Sequence, residues 1–523
     1  MGAGASASVD GFVVTLDTNA HTLRAHELIS RVSADRLAGH ALDVRARVVS
    51  RIMLRLVVVL VAERRGLLAR PSDSCSRLAS LRATAALPQS ASAELRECAE
   101  TLEREPWLDE PTMIALSELL AGRVEQVDRS LDTLGLIHEQ LLDHRPQPCA
   151  EGWILVPVAL ARKRSGTFYT PPSLARATVD KTLAPLLLGR SDTQLLELCV
   201  CDPAMGSAVF LLEALAHLVE ARVAAGSDNS CARRRELAER CLYGVDLDPQ
   251  AVELARLALW LAVGDPELAC DFAAARLRHG DALIGVTDAS EREHADRSCA
   301  RALAIPEREP SELAREWAFF HWSIEFRERF TGPRPGFDAM LGNPPWEVRK
   351  PSAREFFRAH DPEFQGDRAS ALLDPELDSA WALERDQHRA FSRWIRHAFQ
   401  HQGLADRNSY KLFVERAHAL LREGGRLGMI VPSGVHADKG ATELRGLLLD
   451  HGRWDWLFGF ENHAGIFDIH RSFKFAVIVA SKGGTTESLR VAFMRRDLAQ
   501  WQEPEPAFLA QARARIEQFS PRT

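Results

Sequence analysis

Apolar and polar positions divide the chain into two regimes. Beyond the first fifteen or so residues and up to about 150, apolar residues recur at helical spacing with no strand-like run. An all-helical N-terminal domain is therefore expected over 1–150. Its strongest apolar run, Leu56 to Ala62, lies in a helical stretch expected from Leu42 to Leu68 that carries Arg45, Arg47, Arg51 and Arg55. That basic face is expected to be solvated. From about 151, short apolar runs alternate with helical stretches, the pattern of a doubly wound α/β domain. Strands are expected over Gln194–Cys201, Leu242–Asp246, Ala275–His279, Phe337–Leu341, Arg426–Val431, Trp454–Phe460 and Phe475–Ala480. This domain should extend over 151–500, with polar insertions at about 286–318 and 347–405. Residues 501–523 form a tail with a helix expected from Pro506 to Phe519.

Chemistry concentrates where strands should end. The tetrapeptide Asn343-Pro344-Pro345-Trp346 follows the apolar run Phe337–Leu341 and Gly342. Exocyclic amines of nucleobases are poor nucleophiles because the nitrogen lone pair is conjugated into the ring. A site that alkylates one must accept both N–H hydrogens and draw the nitrogen toward tetrahedral geometry. The Asn343 carboxamide oxygen can take one hydrogen. The Pro344 carbonyl can take the other, since Pro345 holds residue 344 extended. Trp346 offers a flat face to a flipped-out base. Upstream, an apolar run reaches Asp202-Pro203-Ala204-Met205-Gly206-Ser207-Ala208 and passes into a helical stretch, the layout of a nucleotide-binding crossover. Asp246 ends a second short strand, where a carboxylate can take both hydroxyls of a ribose. Asp281 ends a third and suits an adenine amino group. Asp248 and Asp338 read as caps or turn residues.

These motifs, in the order Gly166-Thr167-Phe168-Tyr169-Thr170-Pro171-Pro172, Asp202–Ser207, Gly244–Asp246, Gly280-Asp281 and Asn343–Trp346, resemble the gamma arrangement of S-adenosylmethionine-dependent N6-adenine DNA methyltransferases. The resemblance runs from about Gly166 to Lys482. Asn408–Phe413, Gly425–Gly434 and Phe460–Phe475 extend it toward the large methyltransferases of fused type II restriction–modification enzymes and of BREX- or DISARM-like phage defence. It implies a Rossmann-like class I methyltransferase fold with a seven-stranded mixed sheet, and S-adenosyl-L-methionine as cofactor. Tyr169 and Thr170 would lie against its methionine end. Asp202, Ala204 and Gly206 would form the turn beneath it, Asp246 would hold the ribose, and Asp281 the adenine. Asn343 and Pro344, followed by Pro345, would polarise the target amine and Trp346 would stack on the base. A second aromatic wall should fall at Phe473 or Phe475. Ala208 stands where the family usually has a second glycine; its methyl should narrow the cofactor cleft without preventing binding.

The implied activity is methyl transfer to N6 of a flipped adenine in double-stranded DNA, in a restriction–modification or phage-defence system. Amine chemistry alone also allows N4 of cytosine, or a protein glutamine, and a non-catalytic cofactor-sensing scaffold is the reading from outside enzymes. Arg349, Lys350, Arg354, Arg358, Arg393 and Arg396 in the second insertion are expected to touch DNA. A net charge of −7 rules out a chain-wide nucleic-acid coat, so such contact must be local. Nine cysteines without paired Cys-x-x-Cys spacing suit a reduced, cytoplasmic protein without a metal site. Cys199 and Cys201 read as core, and Pro148-Cys149 lies outside the motif array. No membrane span or nuclease constellation is visible. Roughly forty residues follow Lys482, too few for a target-recognition domain, so a partner subunit or a further C-terminal region is expected to supply recognition.

Overall fold

The computed structural model describes residues 16–68, 110–131, 133–142, 144–150, 152–157, 169–305, 308–348, 350–353, 356–357, 375–402 and 407–519. Gly166–Phe168, Arg349, Arg354 and Arg358 lie outside them. The chain divides into two compact units, one of residues 1–84 and 92–159, the other of 85–91 and 160–523.

The first unit contains helices α1 (Leu16–Ser33), α2 (Leu42–Arg64), α3 (Glu110–Arg129) and α4 (Thr133–Leu142). A hairpin of β1 (His144–Cys149) and β2 (Gly152–Pro157) corrects the expectation of helix alone up to residue 150. Pro146 and Pro148 hide that strand in the sequence, and a two-stranded ribbon tolerates them because every strand in it is an edge. Trp153 is buried, and its carbonyl accepts from the Ser30 hydroxyl of α1 at 2.7 Å. The arginine face of α2 is also corrected: Arg51 and Arg55 are buried, while Arg47 is exposed. Helix α2 is the apolar centre of this unit, and long arginine stems can line such a core.

The second unit is built on a nine-stranded sheet. Its strands are β3 (Val200–Asp202), β4 (Leu242–Asp246), β5 (Leu277–His279), β6 (Phe337–Gly342), β7 (Leu421–Pro432), β8 (Gly452–Glu461), β9 (Lys474–Lys482), β10 (Ser488–Arg495) and β11 (Leu509–Ala512). The spatial order is β11-β10-β8-β9-β7-β6-β3-β4-β5. Strands β3 to β7 are mutually parallel, and β9 runs antiparallel between β7 and β8. The seven expected strands are present, but the sheet has nine, with β10 and β11 added beyond β8, and two expected boundaries are corrected. The stretch before Val200 is not strand, because Ser191 and Gln194 form a capping box that starts a helical turn over Asp192–Leu195. The tail places β11 on β10 before a helix over Arg513–Phe519, in place of one helix from Pro506.

Helices α5 (Pro172–Leu187), α6 (Val209–Ala224) and α7 (Pro249–Val263) cover the sheet. The first insertion forms α8 (Arg292–Leu303) and shorter turns. Part of the second forms α9 (Pro375–Ala398), before α10 (Ser409–Leu420). Trp394 of α9 donates its indole N–H to the Leu283 carbonyl at 2.8 Å, and Arg393 donates to the Leu303 carbonyl at 2.8 Å. These bonds tie the insertion helix to the loop beyond β5. Asp248 caps α7 by accepting from the Gln250 N–H at 2.9 Å. Asp338 is neither cap nor turn residue: it is buried within β6, where it accepts from the Cys199 N–H and pairs with Arg334 and Arg422. Cys199 and Cys201 are core residues, and Cys149 is exposed.

Candidate functional site

In a doubly wound sheet, ligands meet the carboxyl ends of the strands. The order β6-β3-β4-β5 places Asn343, Asp202, Asp246 and Asp281 side by side along that edge. Asp202 is buried and accepts from the Ala204 N–H at 3.0 Å. Burial pushes its carboxyl up to about 8, against the pull of that N–H, and the neighbouring Asp246 charge pushes the same way. Asp246 accepts from the Gly206 N–H at 2.8 Å and from the Asp248 N–H at 2.8 Å, so it joins the β3 turn to the β4 turn. Burial raises its carboxyl to about 6. Gly342 lets β6 pass close to this centre: a Cβ there would stand 2.8 Å from the Asp202 Oδ1.

Ala208 adopts φ 74° and caps α6 from the left-handed region, fully buried. The departure from glycine therefore bears on the backbone, where a non-glycine residue costs about 1–2 kcal/mol. Asp281 accepts from the Leu283 N–H at 2.9 Å and borders a cavity of about 280 Å³. Leu247 and Ile284 give that cavity apolar walls, while Glu384, His388 and Phe391 of α9 close another side. Sequence reasoning missed this use of the second insertion. The one signal was the run of Trp381, Phe391, Trp394 and Ile395 on a helix otherwise rich in charge.

The Asn343–Trp346 loop leaves β6 at the same edge. The Asn343 Nδ2 donates to the Thr170 hydroxyl at 3.0 Å, while its Oδ1 is buried and has no hydrogen-bond partner among the described residues. A buried acceptor without a partner costs about 1–3 kcal/mol and is rare in a settled core. Tyr169 is half-buried beside Thr170; Pro344 is buried and Pro345 partly so. Trp346 donates its indole N–H to the Ile430 carbonyl of β7 at 3.4 Å. Its ring lies parallel to Phe473, with centroids 5.5 Å apart and an interplanar angle of 5°. Phe475 is 6.1 Å from Trp346, but it is wholly buried and also stacks on Phe460, whereas Phe473 is 37% exposed. Asn462 shapes the loop before Phe473: its side chain accepts from the Phe467 N–H and donates to the Phe467 and Ile469 carbonyls. Among the described residues no His/Cys/Asp/Glu group could hold a metal ion, and no helix is long and apolar enough to cross a membrane.

A mixed sheet with β9 reversed, strand-end acids and an Asn-Pro-Pro-Trp loop defines a Rossmann-like methyltransferase. Two family models then match the chain: N-6 DNA Methylase over residues 150–285, and Eco57I restriction-modification methylase over 240–371 and 384–467. These matches support a gamma-type N6-adenine DNA methyltransferase of restriction–modification systems. It is 20% identical over 358 residues to the type II restriction enzyme and methyltransferase RM.Eco57I of Escherichia coli, a match covering 64% of this chain and 30% of that protein. Its fold resembles a DrdV–DNA complex solved by cryo-electron microscopy, with TM-score 0.52 and 14% identity, covering 94% of this chain and 45% of that one. A DNA-bound nuclease-deletion mutant of the Type ISP enzyme LlaGI aligns with TM-score 0.49 and 12% identity, over 96% of this chain and 38% of the other. The chain thus spans less than half the length of these relatives.

Proposed function

We propose that this chain transfers a methyl group from S-adenosyl-L-methionine to N6 of an adenine flipped out of double-stranded DNA. The observation that carries this reading is the Asn343 side chain, whose Nδ2 is held by Thr170 while its Oδ1 stays buried and unpaired beside an aromatic pair. An amine N–H is the partner that this acceptor lacks. The Pro344 carbonyl takes the second hydrogen. Together they draw N6 toward tetrahedral geometry, in a position fixed by β6. Trp346 supplies one stacking face, and Phe473, exposed and parallel to it, supplies the other.

The residues fit the cofactor. The cavity beside Asp281 has apolar and aromatic walls, Leu247, Ile284, Trp317 and Phe391, to hold an adenine ring, with the Asp281 carboxylate placed for its amino group and Asp246 for the ribose. Asp202, Ala204 and Gly206, with Tyr169 and Thr170, would border the methionine end. When bound, the cofactor supplies a methyl group already activated on a sulfonium. The two family models favour adenine over cytosine as the target.

The test is transfer of tritium from labelled S-adenosylmethionine to unmodified DNA, with digestion to nucleosides, using wild-type chain and Asn343→Ala. Label in N6-methyladenine that falls by about 100-fold or more in the variant, with cofactor binding retained, is the expected result. Label in N4-methylcytosine would move the reaction to the other base. Cofactor binding without label, even with host extract, would favour the scaffold.

A further inference from the structure

Helix α9 has a second concave side. A cavity of about 400 Å³ is lined by Arg385, Arg389, Arg393, Arg396 and Arg407, together with Pro351. Five guanidiniums around one cavity repel one another, and an acidic chain of net charge −7 has carboxylates to spare for them. Yet among the described residues only Arg389 forms an ion pair, with Asp386 at 2.7 Å. Arg385 leaves its buried Nε without a hydrogen-bond partner, and Arg393 spends its bonds on the Leu303 and Ala304 carbonyls. Burial first, and the Arg396 charge second, hold Arg407 below the usual guanidinium range. Such a cluster is stable when polyanionic oxygens fill it, because each guanidinium can donate two parallel bonds to a phosphate.

The position says which phosphates. Pro351 follows the Asn343–Trp346 loop, so the cavity begins where that loop leaves the base pocket. Arg389 and Arg396 are exposed and form an open rim that an extended chain can enter. His388 lines this cavity and also the one beside Asp281, so the same helix walls the cofactor cleft and presents the arginines. We propose that the five-arginine cavity of α9 binds backbone phosphates of the DNA substrate next to the extruded base. This rests on the DNA-methyltransferase reading. It gives the second insertion two faces, one toward cofactor and one toward DNA.

The experiment measures binding of the full chain to a fluorescent DNA duplex by anisotropy over a series of salt concentrations. In Arg396→Gln/Arg407→Gln, the slope of log K against log salt should become shallower by about 2, since each phosphate contact contributes about 0.9. Cofactor affinity without DNA should stay within about twofold, since neither side chain lines the cleft beside Asp281. Arg389→Gln/Arg396→Gln, both on the exposed rim, provides the same test should loss of the partly buried Arg407 unfold the chain. An unchanged slope in a folded variant overturns the proposal, as does wild-type binding that does not respond to salt. Inorganic pyrophosphate is titrated in parallel and followed by thermal shift. A shift lost in the variant while the duplex slope is unchanged assigns the cavity to a free phosphate ligand and also overturns it. Methyl transfer is read separately: no label alongside the expected slope change would sink the reaction and leave the cavity standing.

Discussion

The rings of Trp346 and Phe473 lie parallel, 5.5 Å apart, across the mouth of the candidate base pocket. A base stacked between two aromatic faces needs roughly 7 Å, two stacking intervals of about 3.4 Å. In this state Phe473 therefore covers the face that the base would use, and Trp346 is only 6% exposed. Phe473 lies immediately before β9, at the end of the loop organised by Asn462, and it is the exposed member of the pair. Admission of a base then requires Phe473 to move, while Trp346 stays pinned to Ile430.

Phe473→Ala should weaken productive DNA binding by about 1–3 kcal/mol, one stacking contact, with little effect on thermal stability. Phe475→Ala should do the reverse: it removes a fully buried ring and should cost about 3–5 kcal/mol of stability. Melting curves and KM for a duplex separate the two. If both variants destabilise alike and leave KM for DNA unchanged, Phe473 is not a wall of the pocket.

Under the proposed function, Thr170 acts on the reaction through Asn343. Its hydroxyl accepts from the Nδ2 and so determines which end of the amide is left for the target amine. In Thr170→Val that acceptor is lost and the carboxamide can rotate. A fall in kcat of about tenfold is expected, the cost of one hydrogen bond of about 1.4 kcal/mol, and Thr170→Ser should restore most of it. A loss carried wholly by cofactor affinity, with kcat intact, would remove Thr170 from this positioning role.

Much of this site was legible because its chemistry is local in sequence. Asn343–Trp346, the Asp202 turn, Asp246 and Asp281 each sit at a strand end, and a strand end is marked by where an apolar run stops. The parallel order then brings them together without further information. The relationships that depend on tertiary contact were not legible. Nothing in the spacing shows that α9 returns to line the cavity beside Asp281, because that follows from Trp394 bonding to the Leu283 carbonyl. Phe473 and Phe475 lie two residues apart where the chain enters β9, and only their burial distinguishes them. The β1 strand and the buried arginines of α2 were missed for a related reason: two prolines and four arginines outweighed, locally, the packing that overrides them.

If S-adenosylmethionine binds beside Asp202 and Asp246 as proposed, its binding depends on pH. Both folded-state values, about 8 and about 6, lie above the ordinary aspartate value near 3.9. The native chain therefore holds protons that the unfolded chain has released. On this account, stability of the ligand-free protein falls as pH rises from about 4 through about 8. A cation bound beside these groups favours their ionised forms. At pH 7, binding of S-adenosylmethionine should release up to about one proton, and affinity should rise by at most tenfold per pH unit until about pH 8. Calorimetry in two buffers of different ionisation enthalpy counts the protons, and Asp202→Asn should abolish most of the release. Equal proton release at pH 7 and pH 9 would contradict this account.

Gly342 links the loop after β6 to the turn after β3 by absence of a side chain. A Cβ at this position would meet the Asp202 Oδ1 at 2.8 Å, and Asp202 cannot easily retreat because it is buried and held by the Ala204 N–H. Gly342→Ala should therefore cost about 1–3 kcal/mol of stability and shift Asp202, Asn343 or both. Part of that penalty belongs to the backbone, since φ is 156° here, and part to the contact. A double-mutant cycle separates them. Asp202→Ala removes the contact but not the backbone share, so Asp202→Ala/Gly342→Ala should be less destabilised than the sum of the single variants by about 1 kcal/mol. Cofactor affinity should follow the same pattern, with the second substitution costing little once the first is made. Strict additivity in both readouts would mean that the two residues do not constrain each other, and that the turn after β3 and the loop after β6 are set independently.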